Sequence, residues 1–80
     1  MTQTILRLPA VKVATGLSRS TLYLRIAQGE FPHPVSLGGR AVGWPANEVA
    51  ALNAARIASK ADAEIRKLVE TLESARKATA

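Results

Sequence analysis

Residues 9–29 read PAVKVATGLSRSTLYLRIAQG, and this stretch decides the fold. Pro9 suits the first turn of a helix, where a missing N–H leaves no bond unmade. Ala10 to Thr15 then form a short helix with Val11 and Ala14 on one side. Gly16 stops it, because glycine tolerates the positive φ that closes a helix. Leu17 is apolar and plugs the core from inside the turn. Ser18 has the side-chain oxygen of an N-cap. A second helix runs from Arg19 to about Gln28, with Leu22 and Ile26 four apart on its inward stripe. Gly29 ends it. Two helices joined by Gly16-Leu17-Ser18, with glycine at the first stop and serine at the next start, have the sequence form of a helix-turn-helix.

Upstream, Ile5-Leu6-Arg7-Leu8 alternates and reads as a short extended lead-in. Downstream, Glu30-Phe31-Pro32-His33-Pro34 cannot be helical, since its two prolines forbid it. Val35-Ser36-Leu37 alternates as a strand, Gly38-Gly39 is a hairpin turn signal, and Arg40 to Trp44 returns as the second strand. Pro45 starts the last helical stretch. From Ala46 to Lys77 there is neither glycine nor proline, and Asp62/Arg66 and Glu73/Lys77 sit at i, i+4 in the favourable order. The preferred reading is one continuous helix, roughly 48 Å long at about 1.5 Å per residue. The alternative is a split at Ser59-Lys60-Ala61-Asp62, a capping-box-like signal, with one helix ending near Ala58 and the next starting at Lys60. The expected fold class is mainly α: a winged helix-turn-helix with a short β-hairpin wing and a long C-terminal helix. The expected division is residues 1–57 as the winged unit and 58–80 as a helical extension.

The extension carries Ile57, Ala61, Ile65, Leu68, Leu72 and Ala75 at helical spacing. The small N-terminal unit has no need of Ile65, Leu68 and Leu72 for its core. These three are therefore the expected self-association residues, joining protomers as a homo-oligomer, either free or lined up along DNA.

Composition sets the outer limits. Eighty residues hold one domain and little else, and leave no room for a deep catalytic cleft. There is no cysteine, hence no disulfide framework and no thiolate metal site. His33 is the only histidine and stands between two prolines, as an exposed loop residue without metal-ligand partners. Glu48 has no acid–base partner and reads as a charge favouring a helix N-terminus. No phosphate-cradling loop and no nucleophile elbow occur. The expectation is a non-enzyme with no metal and no cofactor. No apolar run approaches a membrane span, and the N-terminus lacks a signal-peptide pattern, so a soluble cytoplasmic protein with no membrane partner is expected.

Net charge is +5, and it is unevenly placed. Arg7, Lys12, Arg19, Arg25 and Arg40 face Glu30 alone in residues 1–45, whereas residues 46–80 hold six basic and five acidic side chains. A segregated positive excess suits a polyanion, because each neutralised phosphate releases condensed counterions.

The polar surface of the second helix carries the functional expectation. Ser18, Arg19, Ser20, Thr21, Tyr23 and Arg25 are candidate DNA-binding residues, since the first turn of a recognition helix enters the major groove. Arg19 is the base-reading candidate, because a guanidinium donates two hydrogen bonds to guanine. The two serines suit phosphate or base contacts, and the Tyr23 hydroxyl suits a phosphate. Gly39 and Arg40 at the hairpin tip read as a wing on the DNA backbone or in the minor groove. The same hairpin also reads as a plain cap on the core with a surface arginine. Phe31 and Trp44 flank it and read as structural.

The run Arg7-Leu8-Pro9, then Thr15 through Tyr23, then Gly29 through Val35, then Leu37 through Trp44, closing with Glu48-Val49, resembles the AlpA family of prophage regulatory proteins. The resemblance covers about residues 5–57. It implies a winged helix-turn-helix similar to that of MerR-type regulators and phage excisionases. It further implies a duplex-DNA-binding transcriptional regulator of a prophage or integrative element. The alternative it implies is a recombination directionality factor that bends DNA at attachment sites and directs an integrase toward excision. Two positions depart from the family pattern: Leu24 precedes Arg25 where a basic and then an apolar residue belong, and Leu52 stands where a tryptophan belongs. Outside the DNA-binding readings, the C-terminal stripe admits a helical module that binds another protein.

Overall fold

The computed structural model describes residues 4–78, with side chains through Arg76. The elements are β1 (Ile5–Leu6), α1 (Leu8–Thr15), α2 (Arg19–Ala27), β2 (Val35–Gly38), β3 (Ala41–Pro45), α3 (Ala46–Ile57) and α4 (Asp62–Ala78). The protein is a mainly α winged helix-turn-helix.

Local chemistry sets the helix-turn-helix. Pro9 lies in the first turn of α1, and Gly16 closes it at φ 73° with its N–H on the Lys12 carbonyl. Ser18 caps α2, its Oγ accepting from the Thr21 N–H. Gly29, at φ 76°, ends α2: its N–H donates to the Ile26 carbonyl and the Glu30 N–H to that of Arg25. These paired bonds form a Schellman motif, which satisfies carbonyls the helix end would leave open.

The lead-in segment is more than extended chain. β1 pairs antiparallel with β3, Ile5 opposite Pro45 and Leu6 opposite Trp44, and so makes the hairpin a three-stranded sheet of order β1-β3-β2. Gly43 is where β1 comes closest: a Cβ there would stand 2.9 Å from the Leu6 carbonyl oxygen and 2.5 Å from Ile5 Cγ2. In the wing, Val35 faces Gly43 and Ser36 faces Val42, but Gly38 faces Ala41, with an irregularity between Ser36 and Gly38. That irregularity moves the turn from Gly38-Gly39 to Gly39-Arg40, placing Arg40 in the tip itself.

The continuous helix over 46–77 is corrected. α3 ends at Ile57, and α4 starts at Asp62. The break is a second Schellman motif, with the Ser59 N–H on the Arg56 carbonyl and the Lys60 N–H on that of Ala55. Ser59 occupies its left-handed position at φ 59°. An unbroken helix of about 48 Å at 1.5 Å per residue would also overrun a molecule whose longest extent is 34 Å.

The break folds α4 back antiparallel on α3, which carries Ile65 into the chain's own core. Ile65 is fully buried and Val69 nearly so, in one core with Val11, Leu22, Ile26, Phe31, Trp44, Val49 and Leu52, and Leu68 and Leu72 pack against it. Of the residues expected to join protomers, Ile65 lies in the chain's own core, and Leu68 and Leu72 lie partly buried at its margin. Leu52 is 2% exposed.

Ion pairs lock the same arrangement. Asp62 lies 3.5 Å from Arg56 instead of pairing with Arg66. Arg66 and Arg56 each reach one oxygen of the Glu30 carboxylate, at 3.1 and 3.2 Å. Glu48 is buried, and Arg76 grips it through Nε at 2.8 Å and Nη2 at 2.6 Å, while Nη2 also donates to the His33 carbonyl. The bond and charge of Glu48 raise the Arg76 pKa against the opposing effect of burial. Burial pushes the Glu73 carboxyl up, but the His33 N–H, the His33 ring and the Arg76 charge outweigh it and hold that pKa low. The Glu73/Lys77 pair falls partly outside the described side chains. Glu73 itself bonds the His33 backbone N–H at 2.8 Å and the His33 ring at 3.0 Å.

Candidate nucleic-acid interface

α2 presents its side chains on two flanks. Leu22 and Ile26 point into the core. On the hairpin side, the Arg19 guanidinium sits over the Tyr23 ring at 5.8 Å, and Tyr23 meets Trp44 in an edge-to-face pair at 6.5 Å between centroids. Arg19 and Ser20 are exposed, and together with Tyr23 they line one open hollow on the surface. Ser18 is exposed too, but its hydroxyl serves the helix start by accepting from the Thr21 N–H and donating to Thr21 Oγ1 at 3.0 Å. Thr21 is half-buried and lies with that cap.

Arg25 is separated from this group. It lies about 200° around the helix from Tyr23 at 100° per residue. There it lines a different hollow, with Leu17, Phe31, Leu52 and Arg56. Leu24 is 56% exposed beside it. The structure therefore brings Arg19, Ser20 and Tyr23 together and leaves Arg25 on the opposite flank. Gly39 and Arg40 stand exposed at the hairpin tip.

Trp44 ties the helix to the wing strand. It is fully buried, its indole N–H donates to the Pro32 carbonyl at 2.9 Å, and Phe31 packs against it edge-on at 6.3 Å. The structural reading of Phe31 and Trp44 therefore holds, with the addition that Trp44 is also the floor under Tyr23.

The ion pairs reveal what residue-by-residue reading missed. Arg7, Lys12, Arg19, Arg25 and Arg40 have no carboxylate partner among the described residues, whereas Glu30, Glu48, Asp62, Glu64 and Glu73 are each paired. Arg7 and Lys12, both exposed, thus join the candidate cations. The uneven charge count of the two halves already names both, without assigning them to a site. Among the described residues no cluster of three His, Cys, Asp or Glu side chains is placed to hold a metal, and no helix is long and apolar enough to cross a membrane.

Comparison with known proteins identifies a family. The family described as prophage CP4-57 regulatory protein (AlpA) matches residues 4–57. A protein of Enterobacteria phage P4, described as uncharacterized protein ORF88, is 54% identical over 55 residues, which are 69% of this chain and 62% of that protein. The chain thus spans less than two thirds of that relative's length. No solved structure matches. With the family match running from β1 to the end of α3, over the whole helix-turn-helix and wing, the chain belongs to the AlpA family of prophage regulatory proteins.

Proposed function

We propose that the protein binds duplex DNA sequence-specifically, with α2 in the major groove and the hairpin tip on the backbone, to regulate transcription from a prophage or integrative element. The observation that carries this reading is the set of five cations in residues 1–45 that have no carboxylate partner among the described residues. Among the described residues no carboxylate lies within ion-pair distance of any of them, so they are available to attract phosphate. In this reading Arg19 reads a base edge from the first turn of α2, with Ser20 beside it. Ser18 and Thr21 hold that turn in place, and Arg40 meets a phosphate at the wing tip.

The test is a binding titration over a range of salt, using a duplex selected by the protein from a random-sequence pool. Arg40→Ala weakens binding to all duplexes and lowers the slope of log K against log salt by about one unit, as the loss of one phosphate contact does. Arg19→Ala costs about 1–3 kcal/mol on the selected duplex and relaxes preference at one base pair. Binding that is weak and insensitive to salt defeats the proposal and favours a module that binds protein. Mapping the bound sites in the cell separates a promoter regulator from a factor acting with an integrase at an attachment core.

A further inference from the structure

The geometry points to Tyr23 as a positioning residue: its ring, seated on Trp44, holds the Arg19 guanidinium in the orientation in which it reads a base. This deepens the DNA-binding reading and rests on it.

Arg19 stands in the first turn of α2, is exposed, and has no carboxylate partner among the described residues. A free arginine on a helix surface samples many rotamers, and each one lost on binding weakens recognition. Here one contact restricts it. The guanidinium lies 5.8 Å from the centre of the Tyr23 ring, one helical turn ahead, within the range at which a ring face attracts a cation. The ring is itself held. Its neighbour Trp44 meets it at an interplanar angle of 68°, an edge-to-face arrangement. Trp44 cannot shift, because it is fully buried, bonded to the Pro32 carbonyl and flanked by Phe31 at 64°. A continuous column therefore runs from the core through Trp44 and Tyr23 to Arg19. Its base, in β3, belongs to the wing, so the column also sets the reading group relative to the hairpin.

The ring and the hydroxyl of Tyr23 have separable roles. The hydroxyl has no hydrogen-bond partner among the described residues, so removing it leaves the column intact. Tyr23→Phe keeps the face that Arg19 stacks on. Tyr23→Leu removes it and retains an apolar contact with Trp44. Tyr23 is 38% exposed, and far-UV circular dichroism checks that both variants fold.

Two measurements test the idea. The first uses NMR on the free protein: stacking over the ring shifts the Arg19 δ-methylene protons upfield. The shift persists in Tyr23→Phe and disappears in Tyr23→Leu. The second uses the duplex selected by the wild-type protein and its single base-pair variants. Tyr23→Leu lowers discrimination at the Arg19-dependent position about two- to fivefold, the scale of one exposed cation–π contact. Tyr23→Phe leaves it unchanged, and Arg19→Ala with Tyr23→Leu discriminates no worse than Arg19→Ala alone. Arg19 resonances unmoved by Tyr23→Leu overturn the proposal. So does Tyr23→Phe losing as much discrimination as Tyr23→Leu, which assigns the effect to the hydroxyl and not the ring, or losses from Arg19 and Tyr23 that add in full. If the wild-type protein binds no duplex, the functional reading falls, while the resonances of the free protein still decide whether Tyr23 orients Arg19.

Discussion

Replacing Arg76 by methionine removes the guanidinium and keeps most of the side-chain volume under α4. Glu48 is 3% exposed and receives two short bonds from that guanidinium, at 2.8 and 2.6 Å. Arg76 also holds the His33 carbonyl at 2.7 Å, so one side chain joins α3, α4 and the segment that leads into the wing. In Arg76→Met the Glu48 carboxylate stays in its closed site with no countercharge. Breaking a buried pair from one side costs about 3–5 kcal/mol, because the remaining charge is left desolvated. The Arg76 side chain keeps 23% of its surface exposed. Water therefore screens part of the pair, and the lower end, about 3 kcal/mol, is the expected loss. A chain of this length has about 4–12 kcal/mol of total stability, so the loss is a large share of it.

Urea unfolding followed by far-UV circular dichroism reads this directly. The companion variant Glu48→Gln separates the buried charge from lost packing. Added to Arg76→Met, it recovers part of the stability, because a neutral amide is less costly to leave without its partner than a carboxylate. A loss below about 1 kcal/mol in Arg76→Met, the size of an exposed pair, refutes the assignment. Failure of Glu48→Gln to recover anything refutes it equally.

Three further outcomes follow from the same packing. Ser59→Gly relieves the left-handed residue at the α3–α4 break and raises stability by about 0.5–1 kcal/mol, or about 3–6 °C in the thermal midpoint; an unchanged or lowered midpoint contradicts the strain. Gly43→Ala drives a methyl into the Leu6 carbonyl and Ile5, so it destabilises by about 1–3 kcal/mol and speeds amide exchange at Ala46, whose N–H bonds the Thr4 carbonyl; wild-type exchange at Ala46 would show that β1 does not pack there. Since the folded-state pKa of Glu73 is depressed, its contribution is present at neutral pH and fades as pH falls through that lowered value. Glu73→Gln therefore flattens the acid limb of the stability–pH curve by less than about 1 kcal/mol, the site being partly exposed; an unaltered limb contradicts the pairing with His33.

The helix-turn-helix was legible because its signals are local. Gly16, Ser18 and Gly29 act on backbone groups within four or five residues, so their chemistry can be read without knowing what packs where. The wing was legible to within one residue, since only the paired strands reveal the irregularity after Ser36. The α3–α4 break was harder. Serine holds the left-handed position usually given to glycine, and the gain that offsets its strain comes from burying Ile65 and Val69 against distant residues. The same limit explains Glu48: its partner lies 28 positions away, and nothing local distinguishes a buried acid from a dipole-favouring one. At the site, the one-turn spacing of Arg19 and Tyr23 was readable. Helical phase alone also puts Arg25 on the other flank, so grouping it with them was avoidable.

The helix that lies outside the family match bears on the candidate interface inside it. Glu30 is the only acid in residues 1–45. Left open, it would set a negative charge just after the helix proposed to read DNA. Instead it is 9% exposed and bound by Arg56 of α3 and Arg66 of α4, one to each oxygen. With Asp62 on Arg56, the cluster holds two cations and two carboxylates and is neutral, so the Glu30 charge is cancelled. The Arg66 side chain also donates to the Gln28 carbonyl, at the C-terminal end of α2 where the helix dipole is negative. Folding α4 back therefore does two things at once: it completes a core that is small for an independent domain, and it brings Arg66 to Glu30 and Arg76 to Glu48, the two acids of residues 1–57. The inward stripe and the unopposed cations are consequences of the same turn at Ser59.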